Sequence, residues 1–291
     1  MTGKELSFGY FLVPNAADPL LETAREVERL ELEFVGIQDH PYQRRFVDTF
    51  ALMSAVLATT TSLRIFPDVA CVPLRPAAVL AKTAASLDVL SGGRFELGLG
   101  AGAFWDAIDG YGGTRRAPGE ALDQLAEAIE VIRLVWSGER NLRFEGTYYH
   151  LRGVHSGPLP VHAIQIWIGA VGPRALRQTG RLADGWVPSI RGDALGRLAE
   201  SNARVDDGAV AAGRDPSTVR RIFNIHGTVT DGPSEGFLHG PVDRWVDELA
   251  MLATEYRADT LLFWPSAGDE REQLRRFAED VVPATRRQLA S

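Results

Sequence analysis

Three short stretches of this chain hold residues able to do chemistry. Asp39 and His40 are adjacent and follow directly on the apolar run Phe34-Val-Gly-Ile-Gln38. A histidine titrates near neutral pH and can pass a proton, and a neighbouring carboxylate can orient it or raise its pKa; the same pair could also simply cap the next helix. Leu97-Gly-Leu-Gly-Ala101-Gly102 lines the end of another short run with glycine. It is a poor dinucleotide fingerprint, because such a fingerprint opens directly into a helix and here helical periodicity resumes only near Ala117. Two readings remain, a strand end against which a flat ring can lie closely and a tight turn. Gly169-Ala170-Val171-Gly172 differs in running straight into Pro173, a residue suited to a first helical position, with Arg174 beside it. Free amides and the helix dipole there suit a phosphate, the alternative being a plain loop.

Other chemistries find no support. Cys71 is the only cysteine, which rules out an internal disulfide and a thiolate metal cluster. In the run Val69-Ala70-Cys71-Val-Pro73 it reads as a small buried hydrophobe, with no adjacent base to activate it. The six histidines show no metal-ligand spacing. His150, His155 and His162 cluster around one region without carboxylate partners, so no metal is expected. There is no Gly-x-Ser-x-Gly elbow and no P-loop. A net charge of -7 argues against nucleic acid or an anionic membrane as the main partner and leaves a small molecule. The opening residues alternate like a strand rather than a signal peptide, and no run of about 18 apolar residues occurs. The expectation is a soluble cytoplasmic protein.

The elements that must position these residues alternate regularly. Short β-branched or aromatic runs at 6–12, 34–38, 63–69, 95–99, 164–168, 185–187, 219–229 and 260–263 read as strands. Helical periodicities fall between them, including 49–59, 75–90 and 117–135, with later starts near Pro173, Asp193 and Pro241 and a last helix over 270–289. Residues 142–144 and 148–151 form a small hairpin appended after the fourth helix. Eight strands alternating with eight helices predict an α/β fold, a single (β/α)8 TIM barrel forming one domain over 1–291. In such barrels chemistry gathers at the C-terminal strand ends. Those ends carry Asn15, Asp39-His40, residues 69–73, 100–103 and 169–172, Ser189 to Arg191, His226, and Trp264-Pro265.

Taken together, these strand ends resemble the luciferase-like superfamily, and within it the coenzyme F420-dependent branch. The resemblance rests on Val35-Gly-Ile-Gln-Asp-His40, Leu87-Asp-Val-Leu-Ser-Gly-Gly-Arg-Phe95 and the glycines to Gly102. It continues through Ile132-Arg-Leu-Val-Trp-Ser-Gly138, Phe144-Glu-Gly-Thr-Tyr-Tyr149, Ile168-Gly-Ala-Val-Gly-Pro-Arg174 and Gly180-Arg-Leu-Ala-Asp-Gly-Trp186. The last hundred residues match only as barrel rhythm. The resemblance implies a tricyclic ring across the barrel mouth near Asp39, His40, Val69, Ala70, Ala101 and Gly102. It also implies a phosphate at the amides of Gly169, Ala170, Val171 and Gly172, and a non-proline cis peptide near Val69-Ala70. One departure matters. Sugar-phosphate dehydrogenases of this branch carry an acidic residue just after the strand-four glycines, where this chain has Ala103, Phe104 and Trp105, so that substrate is not implied. The implied activity is F420-dependent hydride transfer, with His40 as proton relay or oxyanion stabiliser and Asp39 as its orienter. Phe104, Trp105 and Trp264 would wall a pocket for a small, largely apolar substrate. Two alternatives stand beside it: an FMN-dependent monooxygenase in which reduced flavin activates dioxygen, and a flavin-binding protein without turnover. Homodimers are common among similar proteins, although no helix here marks an interface.

Overall fold

The runs of Phe, Ile, Leu and Val become eight parallel strands in a computed structural model that describes residues 6–191 and 194–291. They are β1 (Ser7–Leu12), β2 (Phe34–Ile37), β3 (Arg64–Pro67, resuming at Ala70–Cys71), β4 (Leu97–Gly100), β5 (Ile166–Ile168), β6 (Gly185–Trp186, resuming at Ser189–Ile190), β7 (Arg220–Val229) and β8 (Thr260–Pro265). Each pairs in parallel with the next. β8 returns to β1, with Ser7 opposite Thr260 and Tyr10 opposite Phe263, which makes the sheet a barrel. Alternate side chains face opposite sides of a strand. One set, including Phe11, Phe34, Phe66, Trp167 and Leu262, fills the barrel interior. The other, including Phe8, Val35, Ile65 and Leu97, packs outward against the helices.

β3 is interrupted where a single strand was expected over 63–69. A cis peptide joins Asp68 to Val69, one bond before the Val69-Ala70 position anticipated. β4 passes so close to this break that a Cβ at Gly98 would lie 2.1 Å from the Pro67 carbonyl oxygen. Only glycine permits that approach.

The surrounding helices are α1 (Leu20–Arg29), α2 (Thr49–Thr59), α3 (Ala77–Ser91), α4 (Pro118–Val135), α5 (Pro173–Leu182), α6 (Ala194–Ala211), α7 (Val242–Thr254), α8 (Glu270–Arg276) and α9 (Val282–Ala290). The helix start expected near Asp193 lies outside the described residues. The single final helix anticipated over 270–289 is instead two, joined by a π turn over Phe277–Val281. Pro283 explains the change, since it has no N–H to donate and the hydrogen-bond register must slip before it. A short helix, Trp105–Gly110, also precedes α4.

The hairpin pairs Leu142–Glu145 with His150–Val154, as expected apart from small shifts at its ends. It stands outside the barrel against α4. There the Glu127 carboxylate accepts the amides of Thr147 (2.7 Å), Tyr148 (2.8 Å) and Tyr149 (3.2 Å).

Candidate functional site

At the C-terminal rim of the barrel lies a cavity of about 520 Å³. Asp39, His40, Val69, Ala101, Gly102, Trp105, Gly169, Ala170, Val171, Gly172 and Trp264 all line it. Two predicted residues do not. Ala70 is fully buried and pairs with Leu99, its side chain on the helix-facing side of the barrel wall. Phe104 is 58% exposed and stands edge-on to His40 and Tyr42, walling the outer side of His40 rather than the cavity.

Asp39 and His40 are brought to the same rim, but not to each other. The buried Asp39 carboxylate accepts the Cys71 amide (2.9 Å) and two guanidinium N–H groups of Arg75 (2.8 and 2.7 Å). Arg75 also reaches Asp48 at 2.9 Å and lies over the Phe50 ring, 4.3 Å from its centroid. Asp48 in turn caps α2 through the Ala51 amide. Asp39 therefore fastens β2, the Cys71 segment and the start of α2 together. Asp39 was expected to orient His40, but the group beside His40 Nδ1 is instead the Tyr42 hydroxyl, at 2.7 Å. Consecutive side chains leaving a strand diverge, so neighbours in sequence need not be partners in space.

Burial lowers the His40 pKa, against the opposing pull of the Asp39 charge, so the imidazole is neutral at pH 7. Burial first, then the Cys71 and Asp39 groups, raise the Tyr42 pKa and keep it a phenol. The Cys71 thiol is pushed up to about 12 by burial and Asp39, which makes it inert as a nucleophile.

The glycines divide their work. A Cβ at Gly100 would come within 2.7 Å of Val69 Cγ2, and one at Gly169 within 3.0 Å. Their missing side chains thus receive Val69. Gly172 has nothing within 4 Å of a Cβ position and precedes α5 with no side-chain cap. Among the described residues the first-turn amides of α5 consequently have no side-chain partner, beside Val171, which is 88% exposed. Arg174 pairs with Asp123 on α4 instead of turning to this loop. Gly102 holds φ +93°, a conformation that favours glycine.

Three features escaped sequence reasoning. Asp68 lines the cavity, and burial pushes its pKa up to about 7, with only the Asn224 side chain opposing. Among the described residues its Oδ2 has no hydrogen-bond partner, and neither does Asn224 Oδ1. An acidic residue inside the strand-like run Ile65-Phe-Pro-Asp68-Val-Ala was the signal available. The mouth is also not wholly apolar. Arg191 stacks 4.0 Å above Trp264, Trp264 stacks on Phe11 at 4.1 Å, and His226 meets Trp264 edge-on. Finally, His162 and His150 do have carboxylate partners, contrary to expectation. His162 Nδ1 lies 2.6 Å from Asp88 and its Nε2 3.4 Å from Glu96, while His150 lies 3.2 Å from Glu145. These ties are remote from the cavity. Among the described residues no three His, Cys, Asp or Glu side chains converge as a metal site.

The luciferase-like monooxygenase family profile matches residues 6–236. An F420-dependent hydroxymycolic acid dehydrogenase from Mycobacterium tuberculosis is 33% identical over 74% of this chain and 60% of its own length. The chain thus spans less than two thirds of that relative. An F420-dependent glucose-6-phosphate dehydrogenase from Kineococcus radiotolerans is 26% identical over 98% of both chains. Among solved structures, an F420-dependent secondary alcohol dehydrogenase in complex with an F420-acetone adduct superposes with a TM-score of 0.85, at 19% identity, over 97% of this chain and 99% of its own. Parallel barrel, hairpin and family profile lead to one conclusion: the chain belongs to the luciferase-like monooxygenase family.

Proposed function

We propose that this oxidoreductase moves a hydride between coenzyme F420 and a small organic substrate bound at the barrel mouth. The observation that carries the reading is the neutral His40–Tyr42 pair, set beside a glycine-rich rim and next to a helix start with uncapped amides. The names of the F420-dependent relatives support the choice of cofactor.

The residues present fit the group. The small side chains at Ala101, Gly102 and Ala170 leave room for a flat ring beside Val69, and the first turn of α5 after Gly172 suits its phosphate. When bound, F420 supplies or accepts the hydride. His40 manages the accompanying proton. With Nδ1–H donated to the Tyr42 oxygen, Nε2 is left free to take a substrate hydroxyl proton; the other tautomer can donate one. Trp105 and Trp264 exclude water from the apolar part of the pocket. Asp39 acts through position, holding the loop that carries His40 against Cys71 and Arg75.

Titration of the protein with F420 and with FMN, each followed by fluorescence, tests the cofactor. Binding of F420 at least about tenfold tighter than FMN is expected, a gap of about 1.4 kcal/mol. Tighter FMN binding would overturn the assignment and favour the monooxygenase reading.

A further inference from the structure

A second cavity, of about 540 Å³, opens on the outside of the barrel between α1 and α8. No residue lines both cavities. Its volume is that of a small-molecule site. Leu12, Leu20 and Leu274 make its wall apolar, and at its base lies Tyr10. Tyr10 is only 2% exposed, and among the described residues its hydroxyl has no hydrogen-bond partner. The rest of its side chain is buried, so this unpaired hydroxyl opens on the cavity and can meet a ligand's polar atom there.

The charges around that hydroxyl are unbalanced. Glu26, lower in the groove, is neutralised by Arg29 and Arg271. Asp269 accepts the Glu272 amide as the cap of α8. Asp18 and Glu270 have no cationic partner among the described residues, and both act electrostatically on the Tyr10 hydroxyl. Burial, followed by the Asp18 and Asp269 charges, also raises the Glu270 pKa. Asp18 and Glu270 thus leave this end of the cavity with two carboxylates lacking an ion-pair partner, although Arg25 also lines the cavity.

We propose that the cavity between α1 and α8 binds an organic cation, an ammonium group carried on an apolar body. The ammonium would sit between Asp18 and Glu270 and donate to Tyr10 Oη, and its apolar part would lie along Leu12, Leu20 and Leu274. A metal ion fits less well, since no three ligating side chains converge on one point among the described residues. A carboxylate or phosphate would meet two uncompensated negative charges.

Calorimetric titration of the full chain with 4-phenylbutylamine, 4-phenylbutyrate and 4-phenylbutanol tests the proposal, in the absence and presence of saturating F420 or FMN. The amine should bind at least about tenfold tighter than either control, and its affinity should not change when cofactor is added. Tyr10→Phe removes only the unpartnered oxygen and Glu270→Gln only a charge, so both variants should fold. Each should weaken amine binding by about fivefold or more. Equal affinity for the three compounds, loss of amine binding on adding cofactor, or amine binding unchanged in both variants would each overturn it.

Discussion

Asp68 offers the sharpest test of the electrostatics at the barrel mouth. Its carboxyl is neutral in the fold up to about pH 7, whereas in the unfolded chain it ionises at 3.8. The native state therefore holds this proton after the unfolded state has lost it. The stability tied to the group is fully present below pH 3.8 and drains away as pH rises toward 7. The two values differ by 7 - 3.8 = 3.2 pH units, worth about 4 kcal/mol at 1.36 kcal/mol per unit. Asp68→Asn keeps the shape of the protonated acid and does not titrate. Its new amide can also donate to Asn224 Oδ1, which has no partner among the described residues. Urea denaturation of both proteins at pH 5, 6, 7 and 8 measures the effect. The stability of the Asn variant relative to the parent should rise by about 2–3 kcal/mol between pH 5 and pH 8, with most of the change before pH 7. A constant difference across that range would refute the reasoning, because Asp68 would then have to be ionised and paired in the native state.

Other consequences are as direct. His40→Ala should leave F420 affinity within a few-fold and reduce turnover by about 10²-fold or more; turnover close to that of the parent at every pH would make His40 structural. The parent's rate should show an acidic limb below 6.5, since burial lowers the His40 pKa, and Asp39→Asn should move that limb lower still by removing the charge that opposes burial. The profile is best recorded in the Asp68→Asn background, where the acid titrating near 7 is absent. Gly172→Leu should weaken F420 binding while leaving the urea midpoint unchanged, because its Cβ enters open space; unaltered affinity would remove the phosphate from this helix start. Arg75→Met leaves the buried Asp39 carboxylate without its charge partner and should destabilise the protein by about 3–5 kcal/mol in urea denaturation.

Strand order, helix order and the strand-end residues were legible because each rests on local periodicity. Phe8, Tyr10 and Leu12 against Gly9 and Phe11 already show the two faces of β1. Errors entered where one residue overrides a pattern or where the partner is far away. Pro283 splits a continuous helical periodicity, and the Asp68-Val69 bond divides a strand that reads as unbroken. The partner of Asp39 is an arginine 36 residues downstream, which no spacing rule connects to it. Adjacency suggested a pair with His40 instead. Tyr42, only two residues from His40, lay within reach of local reasoning, since a phenol beside a histidine is a natural hydrogen-bond partner. His162 shows the opposite limit: Asp88 and Glu96 meet it only because the end of α3 and the start of β4 lie beside the entry to β5.

The attachment of the 142–154 hairpin bears on how such a barrel can diversify. Glu127 receives three consecutive main-chain amides of the turn, and the Gln124 side chain adds a hydrogen bond to the Tyr149 hydroxyl. Both anchors sit on α4, and the three amide contacts read backbone, not side-chain identity. A segment held in that way behaves as a module. Its strands can be lengthened, recoloured in charge or exchanged for another turn presenting three amides, with no change demanded of the strands that carry the chemistry. For grafting, Glu127 is the residue to keep and the hairpin is the part to vary.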